Sequence, residues 1–191
     1  MSVNLVEQIQ QNLVYPPLEK IDPNIQSTNQ AAHGSFSQAA IPAVLTGLYQ
    51  YAQKDEGAQA ILNIKNTDTW IDKIFGTDKD AVIQKIADYS RQTETGMEVK
   101  LNAIAGEAVK LAKENLPENA GIKEVKVFFN GQKDNILLYL VPALHMGTLL
   151  HDDTLDDNTN KMEGPVSSLI KNIGAAFSNP VTEEEIDQKK S

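Results

Sequence analysis

Four of the chain's 26 acidic side chains fall within six residues: Asp152, Asp153, Asp156 and Asp157. Carboxylates a few ångströms apart repel by about 1 kcal/mol per pair even in water. Such a cluster persists when it is solvated, or neutralised by a cation or a basic partner. Asp152, Thr154, Asp156, Asn158, Asn160 and Glu163 take positions 1, 3, 5, 7, 9 and 12 of a calcium-loop spacing, all of them oxygen donors. Position 6 of such a loop turns sharply and wants glycine, yet it holds Asp157. Position 8 is usually apolar and holds Thr159, while Gly164-Pro165 interrupts the exit helix. The plain reading is therefore a solvated acidic loop or docking surface that folds without metal. The alternative is a calcium or magnesium site made from Asp152, Asp153, Asp156, Asp157 and Glu163.

The run LLHDDTLDD, residues 149–157, also resembles the first aspartate-rich motif of the isoprenyl diphosphate synthases, with Asp152, Asp153 and Asp156 at the matching positions. That resemblance implies Mg²⁺ held against a diphosphate. The arginine pair expected shortly afterwards is replaced around Lys161-Met162, no second such motif occurs, and the chain is too short for that large helical fold. Elsewhere the chemistry thins out. His151 beside Asp152 could form an acid–base pair, but no nucleophile motif accompanies it. His145 reads as a core or rim histidine inside an apolar helix, and His33 as exposed. No serine stands in a nucleophile elbow, and there is neither a P-loop nor a dinucleotide fingerprint.

Composition narrows the classes further. The 191 residues include 17 basic side chains and carry a formal charge of -9, with Arg91 the sole arginine. Phosphate binding needs a basic face, so nucleic acid is an unsuitable partner. The absence of cysteine excludes disulfide scaffolds, thiolate zinc sites and cysteine nucleophiles. The N-terminal residues lack the basic and apolar regions of a secretory signal, which makes cytoplasmic the default location. A spanning helix needs roughly 18–20 apolar residues, whereas Ile136–Leu150 is shorter and carries Pro142 and His145. It is expected to be a buried core helix.

The elements that would position any site are helical. Leu5, Ile9 and Leu13 recur every fourth residue in a short N-terminal helix that Pro16-Pro17 ends. Residues 15–34 read as a polar linker. A helix follows with Ser37 as its expected N-cap, placing Ile41, Val44, Leu45, Leu48 and Tyr51 on one face. Residues 57–65 form another helical piece, and 70–75 a short one that stops at Gly76, with Thr67 or Asp68 able to cap it. Trp70 and Phe75 read as core anchors. Thr77 with Asp80 looks like a capping box for a helix whose apolar face is Val82, Ile86 and Tyr89. The clearest periodicity is Met97, Leu101, Ile104, Ala108 and Leu111, at steps of 4, 3, 4 and 3, ending before Pro117. Residues 122–140 alternate well enough for a hairpin with a turn at Asn130-Gly131. The all-helical surroundings favour helix, turn, helix instead. Residues 167–178 could form a short amphipathic helix before a charged tail.

Residues 39–62, AAIPAVLTGLYQYAQKDEGAQAIL, resemble the YidB-like family of bacterial helical proteins through Pro42, Leu45, Gly47, Leu48, Glu56, Gly57, Ala58 and Leu62. Residues 74–112 are similar to that family's following part, and the likeness extends over roughly 39–140. It implies a helical fold and transfers no catalytic residue. The expected architecture is all-α: a multi-helix bundle at 37–150, a loosely attached N-terminal helix and linker at 1–36, and an acidic extension at 151–191. The expected role is that of a non-enzymatic structural or protein-interaction protein, self-associating or partnered, needing no cofactor. A divalent-cation or diphosphate-binding protein using residues 152–163 is the alternative. An envelope-associated protein using Ile136–Leu150 ranks last.

Overall fold

The run from Phe36 to Leu48 offers no polar side to water, and a helix apolar on every side has to be surrounded. The computed structural model describes residues 3–21, 34–64 and 69–150, and in it every residue of that run is buried. The elements are α1 (Leu5–Asn12), α2 (Phe36–Gln53), α3 (Asp55–Leu62), α4 (Trp70–Phe75), α5 (Lys79–Ser90), α6 (Met97–Asn115), α7 (Ile122–Asn130), α8 (Lys133–Leu137) and α9 (Met146–Leu149). Single 3₁₀ turns lie at Gly76–Asp78 and Pro142–Leu144. The fold is all-α, with no strand among the described residues. Helix α2 is its axis, and α1 and α3 to α8 all pack on it.

Small residues let the neighbours close in. Ala39, Ala40, Ala43 and Ala52 are fully buried. A methyl group on Gly47 would collide with the ring of Phe75, and one on Gly57 with the backbone carbonyl of Tyr51. Pro42 lies well inside α2, where it cannot return a hydrogen bond to the Gln38 carbonyl. The helix continues through it because its tertiary surroundings hold it on all sides. The one buried hydroxyl on the next turn is satisfied locally: Thr46 Oγ1 donates to the Pro42 carbonyl at 2.8 Å.

The periodic stripe of α6 is buried as its spacing predicts, with Leu101, Ile104 and Ala108 fully enclosed and Met97 and Leu111 nearly so. Val82, Ile86 and Tyr89 of α5 face the core, as do Trp70 and Phe75 of α4. Residues 122–140 form helix, turn and helix. Gly131 has φ -68°, whereas the tight hairpin turn favoured by Asn-Gly needs positive φ at both of its central residues.

Four expectations are corrected. The N-terminal helix is integral rather than loosely attached: Leu5 and Ile9 are fully buried, and the Gln132 side chain accepts from Leu5 N at 3.1 Å and donates to the Val3 carbonyl at 2.9 Å. The N-cap of α2 is Ser35, whose Oγ accepts from Gln38 N, and Ser37 lies buried in the first turn. The Thr77–Asp80 box does not form. A 3₁₀ turn entered through Gly76 at φ 51° leads directly into α5, whose N-cap residue Asp78 makes no side-chain capping bond. Finally, Ile136–Leu150 is core but not one helix. Leu137 ends α8, Pro142 opens the 3₁₀ turn, and His145 at φ 47° reverses the chain before α9. A proline lacking its N–H together with a left-handed histidine is incompatible with a continuous helix.

Two stability outcomes follow. Leu101→Ala should cost about 2–5 kcal/mol in urea unfolding, since it empties an enclosed site. At the end of α1, Tyr15 N donates to the Gln10 carbonyl and Val14 N to the Gln11 carbonyl, with Val14 itself at φ 57° and 88% exposed. This is a Schellman cap with a β-branched residue where glycine is preferred. Val14→Gly should therefore raise stability by about 1 kcal/mol, because relief of left-handed strain exceeds the glycine entropy cost and little burial is lost.

Candidate functional site

Asp152, Asp153, Asp156, Asp157 and Glu163 lie outside the described residues, as do His33 and His151. Of the sequence candidates for chemistry, only His145 is placed. It is exposed at the surface bend after Leu144, away from the helix interior in which the sequence reading put it. Among the described residues no group of three or more His, Asp or Glu side chains is arranged to hold a metal ion. The tightest charge cluster is Lys79 Nζ, 2.8 Å from Asp72 Oδ1 and 3.3 Å from Glu98 Oε1. Its hydrogen bond to Lys79 holds the Asp72 carboxyl below the usual carboxylate range. Two carboxylates already sharing one ammonium form a surface pin between α4, α5 and α6.

Two surface features remain. The first is the outward face of α6. Val99, Ala103, Gly106 and Lys110 recur at steps of 4, 3 and 4, directly opposite the buried stripe. Val99 is 74% exposed, and a methyl group built on Gly106 would meet open space. Glu107 beside this face accepts from Asn12 Nδ2 at 2.8 Å, which brings the end of α1 next to it. A soluble helix ordinarily devotes that side to charged residues. Here Val99, Ala103 and Gly106 form a small, apolar strip flanked by Glu98, Lys100 and Asn102 in the first two turns and followed by Lys110.

The second is a groove of about 230 Å³ lined by Val6, Glu7, Gln10, Gln11, Pro17, Leu18 and Tyr139. Helix α1 supplies one wall. The opposite wall is the extended strap of residues 15–21, which is pinned at several points. Gln38 Oε1 accepts from Glu19 N at 2.8 Å, and its Nε2 donates to the Glu19 carbonyl at 3.0 Å and the Tyr139 carbonyl at 3.2 Å. Ile21 N donates to the Leu138 carbonyl at 2.8 Å, and Gln10 Nε2 donates to the Tyr15 carbonyl. Across the groove, Tyr139 Oη donates to Glu7 Oε1 at 3.0 Å. Burial first, then Glu7, pushes the Tyr139 phenol above the ordinary tyrosine range, so it stays a neutral donor at neutral pH.

Sequence reasoning singled out none of Glu7, Gln38 or Tyr139. One signal for Gln38 was present: an amide inside an otherwise apolar run has to satisfy donors and acceptors that the run cannot supply. Because both side-chain polar atoms of Gln38 are engaged while it is only 7% exposed, Gln38→Ala should destabilise the chain by about 2–4 kcal/mol. It should also release the strap, read as faster amide exchange at Glu19 and Ile21.

No family model, no curated protein and no solved structure matches the chain.

Proposed function

We propose that this chain is a non-enzymatic structural or protein-interaction protein that self-associates through the outward face of α6. The observation that carries the proposal is the second stripe on that helix. Val99, Ala103 and Gly106 repeat the spacing of the core stripe on the outward side, where Val99 and Ala103 are exposed and a methyl group on Gly106 would meet open space. Small residues at helical spacing let a second helix approach closely, and a two-fold pairing of α6 with itself is self-complementary by construction. The flanking charges suit it: Glu107, Lys110, Lys113 and Glu114 offer both signs at the rim, where ion pairs set register more than affinity.

Other points support the same reading. No helix of the described residues is long and apolar enough to cross a membrane, so the exposed apolar residues of α6 belong to no spanning segment. The formal charge of -9 argues against nucleic acid as the partner. The resemblance of residues 39–140 to the YidB-like family belongs to this proposal too, as it implies a helical protein without assigned catalytic residues.

The test is the solution mass of the full chain as a function of concentration, by sedimentation equilibrium. The mass should rise above 21.0 kDa with concentration. Ala103→Glu should return it to the monomer value while leaving the melting temperature within about 2 °C, as befits an exposed site. A mass of 21.0 kDa at every concentration up to the millimolar range would refute self-association through α6.

A further inference from the structure

Asn130-Gly131 is the one place in the chain where glycine follows asparagine. Instead of a hairpin turn it forms the joint between α7 and α8, with both residues exposed. An asparagine in this position has a reaction open to it that needs only water. The backbone nitrogen of the next residue attacks the side-chain carbonyl carbon, and glycine, lacking Cβ, neither blocks that approach nor restricts the rotation it needs. In the folded joint the attack is held off. Asn130 is the last residue of α7, and Gly131, at φ -68° and ψ -13°, continues its course. Gly131 N donates to the Val127 carbonyl at 3.1 Å, which turns the nucleophile along the helix instead of toward the Asn130 side chain. That bond and the one from Gln132 N to the Phe129 carbonyl at 3.0 Å close the last turn. Helix ends fray through local openings of low free energy, and each opening here frees Gly131 N.

We propose that Asn130 is a site of spontaneous conversion to aspartate and isoaspartate, and that the isoaspartate product releases α1. The bond from Gly131 N to Asn130 Cγ forms and the Cγ–Nδ2 bond breaks. Nδ2 leaves as ammonia, carrying the proton that Gly131 N gives up. Water then opens the resulting succinimide. Attack at Cγ restores the ordinary backbone and leaves aspartate; attack at the Asn130 backbone carbonyl leaves isoaspartate, with the chain running through the former side chain. No redox change occurs. The isoaspartate backbone is one methylene longer, directly before Gly131 and Gln132, so the two bonds that close the turn cannot both keep their lengths. Gln132 is the residue whose side chain holds Leu5 N at 3.1 Å and the Val3 carbonyl at 2.9 Å. Displacing it therefore frees the start of α1. Aspartate adds only a charge, unfavourable at a helix C-terminus, and leaves Gln132 in place. This site is separate from the α6 face and does not depend on self-association.

The experiment ages the full chain at mildly alkaline pH and physiological temperature, then maps its peptides by mass spectrometry with fragmentation that separates isoaspartate from aspartate. Asn130 should convert faster than the exposed Asn12, Asn63 and Asn115, which precede leucine, isoleucine and leucine. In the aged chain the amides of Leu5 to Ile9 should exchange faster with deuterium, in proportion to the isoaspartate content. Gly131→Ala fits the present backbone, since the added methyl group would lie 3.4 Å from the Phe128 carbonyl oxygen, and it should slow the conversion roughly tenfold or more. Asn130→Asp, which carries the product charge without the extra methylene, should keep the exchange rates of the fresh chain at α1. The mapping and the exchange on the unsubstituted chain need no variant, so the test is decisive even if a variant fails to fold. Conversion at Asn130 no faster than at Asn12, Asn63 and Asn115, equal conversion in Gly131→Ala, or an isoaspartate-rich chain with unchanged exchange at α1 would each overturn the proposal.

Discussion

Burial of α2 on every side is the constraint on which the rest of this structure depends. A helix with polar residues along one edge can lie on the surface, and its neighbours then need only cover the other side. Helix α2 has no such edge from Phe36 to Leu48. The remaining chain must therefore form a sleeve, and a sleeve around one helix is made of short pieces that change direction often. That is the pattern seen: α3, α4, α8 and α9 are each eight residues or fewer. The hydrophobic gain from enclosing α2 also explains how Pro42 is tolerated in mid-helix, at a position that would cost roughly 3 kcal/mol in an exposed one.

Short helices have a particular weakness, because a large share of their backbone groups sits in the unsatisfied first and last turns. In this chain those groups are often satisfied by side chains from elsewhere. Asn102 of α6 accepts from Ile71 N at the start of α4, whose own N-cap residue Thr69 makes no capping bond. Lys113 of α6 donates to the Leu62 carbonyl at the end of α3, and Lys85 of α5 to the Leu144 carbonyl. Gln132 secures the start of α1, and Gln38 the strap. The amide and lysine side chains thus link sleeve pieces to one another, while the apolar side chains link each piece to α2. The α1 walls of the groove and the outward face of α6 are both held in place by this second set of links, since the Asn12–Glu107 bond joins the two helices directly.

Local periodicity made α5 and α6 legible, because each has one buried stripe and the stripe is written in the spacing, whereas residues 122–140 alternate well enough for a hairpin and only their all-helical surroundings favoured helix, turn, helix. Helix α2 was recognisable as a helix, but the stripe of Ile41, Val44, Leu45, Leu48 and Tyr51 understated it: Tyr51 is half-buried, while Ala39, Ala40 and Ala43, outside the stripe, are enclosed. Alanine and glycine carry little hydrophobic signal, so a helix apolar all round can look amphipathic. Pro142 and His145 stood in plain view, but the largely apolar composition around them reports burial and not backbone direction, so the break was not read from it. The attachment of α1 was illegible for another reason. Its hydrogen-bonding partner Gln132 lies 127 residues from Leu5, and nothing in local spacing announces such a pair. The groove depends on the same kind of distant partner. The acidic residues that dominated the sequence reading lie outside the described residues, so the two candidate sites stand on positions that composition and motif gave no reason to select.

The central claim is that α2 is the axis whose burial holds the sleeve together, and native-state hydrogen exchange measures this residue by residue. Amides in the enclosed core open only with the whole domain, whereas peripheral ones open locally at lower free energy. The α2 amides from Ala43 to Leu48 should be the slowest in the chain and should share one opening free energy equal to that of global unfolding by denaturant. Amides of α1, α8 and α9 should exchange through smaller openings. Exchange of the α2 amides by local opening, at free energies below those of α5 and α6, would contradict the account.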